Sequence, residues 1–182
     1  MFSFWWDMQT LFDKIVFPVQ IFAEELVVTE ICESDKEQYF SLYVDDELNK
    51  WWGYDYREDL GDKPLCPDYF LAFRKELIDK KEEYSLAVKK DGVMIGELVL
   101  HNFDGDCGVE MGFRFFKHCQ GKGYATKSAL ALKKYCFEVL GAKTVYSRCF
   151  KQNQPSRRLI ERLGLKEYRA DQTHFYFREE RN

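Results

Sequence analysis

The sequence predicts a single mixed α/β domain with a mostly antiparallel sheet and flanking helices, and three observations lead there. Strand-like runs joined by short Gly/Asp turns fill residues 84–115. A strand, a two-glycine turn, a helix and a further strand then follow in order over 109–150. Finally, 182 residues, 46% hydrophobic and 17% aromatic, supply one core rather than two.

Residues 1–25 read as an N-terminal amphipathic helical extension, because Phe4, Met8, Leu11, Phe12 and Ile15 recur at helical spacing. Lys14 is set against Asp7 and Asp13 on its polar face, unlike the basic faces of membrane-surface helices. The stripe is therefore expected to pack onto the domain, or onto a second subunit in a homodimer, with no membrane contact. From Leu26, L-V-V-T-E-I reads as a strand and D-K-E-Q-Y-F-S-L-Y-V-D-D-E-L as a helix capped by Ser34 or Asp35. The stretch W-W-G-Y-D-Y-R-E-D-L-G-D-K-P-L-C-P reads as a long loop, a type of segment that is often functional.

A helix over about 68–83 leads into a hairpin, Y-S-L-A-V-K-K and V-M-I-G-E-L-V-L-H, turning at Asp91–Gly92. F-D-G-D delivers the chain into a third strand, C-G-V-E-M-G-F-R-F-F. Beyond the glycine turn, Ala125, Ala129, Leu132, Cys136 and Val139 share one helical face, and Gly141 ends the helix. T-V-Y-S-R-C-F returns as a strand parallel to the one at 109–115, a βαβ crossover. P-S-R-R-L-I-E-R-L forms a last helix up to Gly164, and T-H-F-Y-F-R a final strand.

A net charge of −4 and dispersed Lys and Arg give no basic footprint, which argues against nucleic acid as a partner. Six cysteines without C-x-x-C pairs or histidine spacing fit free thiols in the cytoplasm rather than disulfides or a metal site. The opening segment lacks the marks of a signal peptide and is too interrupted for a transmembrane span.

The turn in H-C-Q-G-K-G-Y-A-T-K-S-A-L, residues 118–130, places unpaired amides and a helix dipole where they favour phosphate, unless it is simply a tight turn. No Lys-Ser/Thr pair follows its second glycine, and Thr126 stands where G-x-G-x-x-G has a third. Residues 118–123 instead resemble the acyl-CoA loop of the GNAT superfamily of N-acetyltransferases, R/Q-x-x-G-x-G/A, with His118 where Arg or Gln is usual. E-M-G-F-R-F, G-Y-A-T-K-S-A-L and N-Q-P-S-R-R-L-I-E-R-L-G-L stand around it in family order and spacing. The resemblance covers the order of elements over 26–178, with the specific motifs within 109–168, and the branch it most resembles is the ribosomal-protein N-terminal acetyltransferases. Lys127 departs from the Glu usual in that branch.

The resemblance implies a GNAT-like domain over 26–182 that binds acetyl-CoA and needs no metal. The cofactor-binding set it implies is Phe113, Phe115, Gln120, Gly121, Lys122, Gly123, Tyr124, Ala125, Thr126 and Asn153. The pyrophosphate would lie on the amides of Gln120 to Ala125 and the pantetheine arm between the two parallel strands. Asn153 would contact the cofactor, fix the loop, or cap the helix that follows it.

Acetyl transfer to an amine needs a neutral nucleophile, a donor for the developing oxyanion and, optionally, an acid for the thiolate. The tyrosine that supplies the acid in much of the superfamily is replaced by Ile160. Ser156 matches a serine proposed for that role in the ribosomal branch, with a plain first-turn residue as the alternative. Glu110 is the candidate base, or else a face residue paired with Arg114. His101 and His118 titrate in the right range but match no catalytic position. Acidic residues Asp45 to Glu47, Asp55, Glu58, Asp59 and Asp62 alternate with Trp51, Trp52, Tyr54 and Tyr56, a mixture that suits a cationic amine or peptide N-terminus. Asp45, Trp51, Trp52 and Tyr54 are the substrate-facing candidates; the alternative is a solvated loop over packed aromatics.

Overall fold

The computed structural model describes residues 10–53 and 55–181. Eight strands form one sheet: β1 (Gln20–Ala23), β2 (Leu26–Glu30), β3 (Glu83–Lys90), β4 (Val93–His101), β5 (Gly108–Phe115), β6 (Thr144–Phe150), β7 (Lys166–Ala170) and β8 (His174–Glu180). Their order is β1-β2-β3-β4-β5-β6-β8-β7, antiparallel throughout except for the central β5–β6 pair. The mixed, mostly antiparallel α/β fold read from the sequence is the fold observed.

The helices are α1 (Lys36–Val44), α2 (Asp46–Asn49), α3 (Arg57–Leu60), α4 (Pro67–Asp79), α5 (Tyr124–Glu138) and α6 (Gln154–Arg162). Strand alternation sends Tyr84, Leu86 and Val88 of β3 into one core with Ala129, Leu132, Leu159 and Ile160 of α5 and α6. Ala87 faces the other way, into a second core with Tyr39, Leu42 and Tyr43 of α1 and Phe70 of α4. The result is three layers, helices on both faces of one sheet.

Several expectations are corrected. Phe4 and Met8 lie outside the described residues; Leu11, Phe12 and Ile15 are buried in the main core, and among the described residues the stripe carries a 3₁₀ turn, Phe12–Lys14, where a helix was expected. Gln20–Ala23, expected within the helical extension, is the edge strand β1, paired with β2. The long loop contains α3, and the helix expected over 35–48 breaks at the extended Asp45 into α1 and α2. Asp35 is the N-cap residue of α1, one of the two expected, but its side chain turns back to accept the Cys32 amide at 2.9 Å instead of an amide of that helix. α4 ends before Lys81, whose φ of 60° breaks the helix. Val139 is exposed because α5 has ended before its side chain can join the apolar face.

Gly96 marks a tight point between β4 and β5. Its partner across the ladder is Phe115, and a Cβ at position 96 would stand 2.4 Å from that ring and 2.7 Å from the Arg114 carbonyl. Gly96→Ala is expected to lower stability by about 1–3 kcal/mol through overpacking. Urea denaturation checks this, and an unchanged midpoint would contradict it.

Candidate active site

Parallel pairing of β5 with β6 covers Gly108↔Thr144, Val109↔Val145 and Glu110↔Tyr146. Both strands continue, β5 to Phe115 and β6 to Phe150, but they part company; the Ser147 hydroxyl, donating to the Met111 carbonyl at 2.9 Å, is the last tie. The gap opens into a cavity of about 1530 Å³. Most small-ligand pockets hold about 300–1,000 Å³, so two substrates have room here.

The glycine turn forms one rim. A 3₁₀ turn, Lys117–Cys119, separates it from β5, and the Gln120 side-chain amide donates to the Phe115 carbonyl at 2.9 Å, fastening the turn to the strand end. Gly121 and Gly123 have φ of 75° and 82°, a region favoured by glycine, and nothing lies within 4 Å of where their Cβ atoms would be. The first bond back to the turn runs from the Lys127 amide to the Gly123 carbonyl at 3.0 Å. The amides of Tyr124, Ala125 and Thr126 thus belong to the uncapped first turn, at the positive end of the α5 dipole. An anion fits this position.

Gln120, Gly121, Gly123, Tyr124, Ala125 and Thr126 line the cavity together with Phe113, Phe115, Asn153 and Ser156; Lys122 is exposed beside it. The two departures in the motif have local reasons. Lys127 bridges Glu24 at 2.7 Å and Glu25 at 3.0 Å, tying α5 to the β1–β2 turn. His118 stacks on Phe116, with ring centroids 5.6 Å apart.

Asn153 caps α6: its Oδ1 accepts the Ser156 amide at 3.2 Å. Ile160 is fully buried in the core, so the position that holds an acid elsewhere is a packing position in this chain. Tyr124 lines the main cavity. Tyr146 and Tyr168 line a smaller one of about 320 Å³ that shares Glu110 and Ser147 with it.

Glu110 faces the cavity while its neighbours Val109 and Met111 are buried on the other side. Its carboxylate is engaged on both oxygens: Oε2 accepts from Asn102 at 2.8 Å, and Oε1 lies 3.2 Å from the Arg148 Nε and 3.9 Å from the His101 Nε2. The pairing with Arg114 considered from the sequence does not form. Arg114 instead holds Glu97 at 2.7 Å, donates to the Asn49 Oδ1 at 2.6 Å, and sits between the rings of Tyr43 and Trp52, at 4.1 and 4.6 Å from their centroids. Trp52 is pressed over Gly112, where a Cβ would meet its ring at 3.3 Å.

Asp45, Trp51 and Trp52 reach the cavity, whereas Tyr54 lies outside the described residues. Much of the acidic run is neutralised within its own loop, Asp46 and Asp55 by Arg57 and Glu47 by Lys50. A carboxylate not singled out from the sequence lies deeper, Glu83. Burial and the charge of Glu97 push its pKa up to about 7. The alternation with buried Tyr84 was the sequence signal for its orientation. Cross-strand register aligns Glu83, His101 and Glu110 in one row. Burial depresses the His101 pKa against the opposing charge of Glu110. Among the described residues, no group of three His, Cys, Asp or Glu is placed to hold a metal ion.

The family model described as "Acetyltransferase (GNAT) domain" matches residues 25–166. The chain belongs to the GNAT acetyltransferase family. Acyl-CoA-dependent acetyl transfer, with acetyl-CoA as co-substrate, comes with that membership, and the uncapped amides at the glycine turn fit the pyrophosphate of such a donor. The uncharacterized N-acetyltransferase YnaD of Bacillus subtilis is 27% identical over 88 residues, 48% of this chain and about half (52%) of that relative's length. RimJ of Mycobacterium smegmatis, solved in complex with CoA-disulfide, superposes with a TM-score of 0.74 at 15% identity over 90% of this chain and 88% of that one. Spermidine N-acetyltransferase from Vibrio cholerae, solved with CoA and spermine, gives 0.73 at 16% identity over 86% and 95%. The two structural likenesses establish the fold.

Arg114 and Glu97 are 5% and 0% exposed, so removing one leaves the other charge buried without its partner. Arg114→Met is expected to cost about 3–5 kcal/mol of stability, and adding Glu97→Leu to recover most of it. Denaturation of the two variants tests this; equal stability of the single and double variants would contradict it.

Proposed function

We propose that the chain transfers acetyl from acetyl-CoA to a primary amine, a small cationic amine or a peptide N-terminus, by direct attack of the amine on the thioester. One observation carries the reading: a single cavity joins the amide-rich glycine turn to a floor bearing Glu83 and Glu110, through the gap between β5 and β6.

In this reading the turn from Gln120 to Thr126 holds the pyrophosphate, and the pantetheine arm follows the gap past Phe113 and Phe115. The unpaired inner edges of β5 and β6 offer it backbone partners, as a bound β-strand would find. Asn153 supports the site by capping α6, which presents Ser156 to the cavity as hydrogen-bond donor to the departing sulfur. A thiolate with a pKa of about 8.5 leaves without a strong acid, so Ile160 is compatible with turnover. Glu110 attracts the acceptor ammonium by charge, and Asp45, Trp51 and Trp52 form the acceptor's wall by charge and cation–π attraction. Six free thiols support a reducing, cytoplasmic setting.

Thiol release from acetyl-CoA, followed with peptides, polyamines and aminoglycosides, tests the reading: at least one amine is expected to accelerate release well above the amine-free rate. Acetyl-CoA binding without any amine-dependent release would overturn it. Gly121→Trp places a bulky side chain at a φ of 75° beside the anion-binding amides. It is expected to weaken acetyl-CoA binding at least about tenfold by calorimetry. Unchanged affinity would remove the turn from the donor site.

A further inference from the structure

We propose that Glu83 is the group that takes the proton from the acceptor's ammonium, placed for it at the head of the Glu83–His101–Glu110 row on the cavity floor. The proposal rests on the acetyl-transfer reading and deepens it.

The geometry separates the carboxylates of the row by what already holds them. Glu110 is bound on one oxygen by Arg148 and on the other by Asn102. Both oxygens of Glu110 are therefore already occupied by donors when an ammonium arrives. Glu83 has the Ser85 hydroxyl on its Oε1 at 2.9 Å and opens onto the same cavity. His101, between the two, is held towards its neutral form by burial and separates two like charges without adding a positive one.

The charged and titratable groups that act on Glu83 are Glu97 of β4, Arg114 of β5, Arg74 of α4 and Tyr43 of α1, with His101 of β4 opposite it in register; Glu76 of α4 and Lys80 just beyond that helix line the same cavity. Arg114 is occupied with Glu97, and Arg74 with Glu30 at 3.0 Å and the Ser85 carbonyl. Burial and Glu97 outweigh these cations, giving Glu83 a pKa of about 7. A base performs best when its pKa lies near the working pH.

Glu83 carboxylate takes one proton from R–NH₃⁺, and the resulting amine forms the C–N bond while the thioester C–S bond breaks. The second nitrogen proton ends on the CoA sulfur, for which Ser156 is the hydrogen-bond donor in the reading above. Glu83 then returns its proton to water through the open cavity. The net products are the amide, CoA thiol and one proton.

The test is the pH profile of kcat/KM for the wild type and Glu83→Gln, with acetyl-CoA and whichever amine of the panel the wild type accepts. The wild-type rate should rise through pH 7 as Glu83 loses its proton. Glu83→Gln should lose that limb and fall about 100-fold or more at pH 7.5, with the KM for acetyl-CoA unchanged. An accepted amine with the same profile in both proteins overturns the role of Glu83 alone. Failure of every amine, with acetyl-CoA still bound, overturns the transfer reading on which the role depends. Carbon NMR of the wild type's glutamate carboxyls needs no folded variant: one carboxyl titrating near 7 is expected, and a full set titrating near 4 overturns the proposal.

Discussion

The separation of β5 from β6 after three paired residues is the constraint on which the rest depends. Inside a sheet, backbone N–H and C=O groups are expected to pair, and leaving them unpaired in a cleft costs free energy unless a ligand or water satisfies them. The strands tolerate it because each is fastened on its outer side: β4 stays in register with β5 as far as Gly96↔Phe115, and β8 with β6 as far as Phe150↔His174. The gap is therefore built into the sheet, and the chain that leaves β5 turns directly into the glycine turn at its mouth. Backbone edges and helix N-terminus end up lining one continuous channel.

The opposite wall of the cavity is organised by a second constraint, the buried guanidinium of Arg114. Its hydrogen bond to Asn49 and its stack against Tyr43 and Trp52 tie the loop after α1 to the sheet. Asn49 in turn donates to the carbonyls of Leu42, Tyr43 and Asp45, closing the end of α1. A buried ion pair contributes little net stability, but it fixes geometry, here the position of Trp52 over Gly112. The same pair has an electrostatic consequence four strand residues away. Burial first and then the negative charge of Glu97 raise the pKa of Glu83, so the residue that anchors the wall also acts on a carboxylate of the cavity floor.

Much of this was legible in the sequence because it is local. The hairpin at Asp91–Gly92, the βαβ unit and the turn at Gly121 and Gly123 all depend on residues within a few positions of one another, and positive φ at those glycines and at Asp91 is what the turns require. The edge strands were not legible. β7 is K-E-Y-R-A with every residue exposed, which leaves no alternation to read, and β1 is four residues long in a segment whose apolar spacing mimics a helix. Pairings across the sheet were equally hidden: Arg114 with Glu97 is 17 positions apart and was displaced in the reading by nearby Glu110. Glu83 gained its meaning only once register set it beside His101.

The central claim is that the parted strands and the glycine turn form one acetyl-CoA site. Isothermal titration of the wild-type protein with acetyl-CoA tests it most directly. The account predicts 1:1 binding in the micromolar range, about −8 kcal/mol. An absence of heat at high micromolar concentration, confirmed by an absence of competition in equilibrium dialysis, would contradict it and leave the turn at Gly121 as a turn alone.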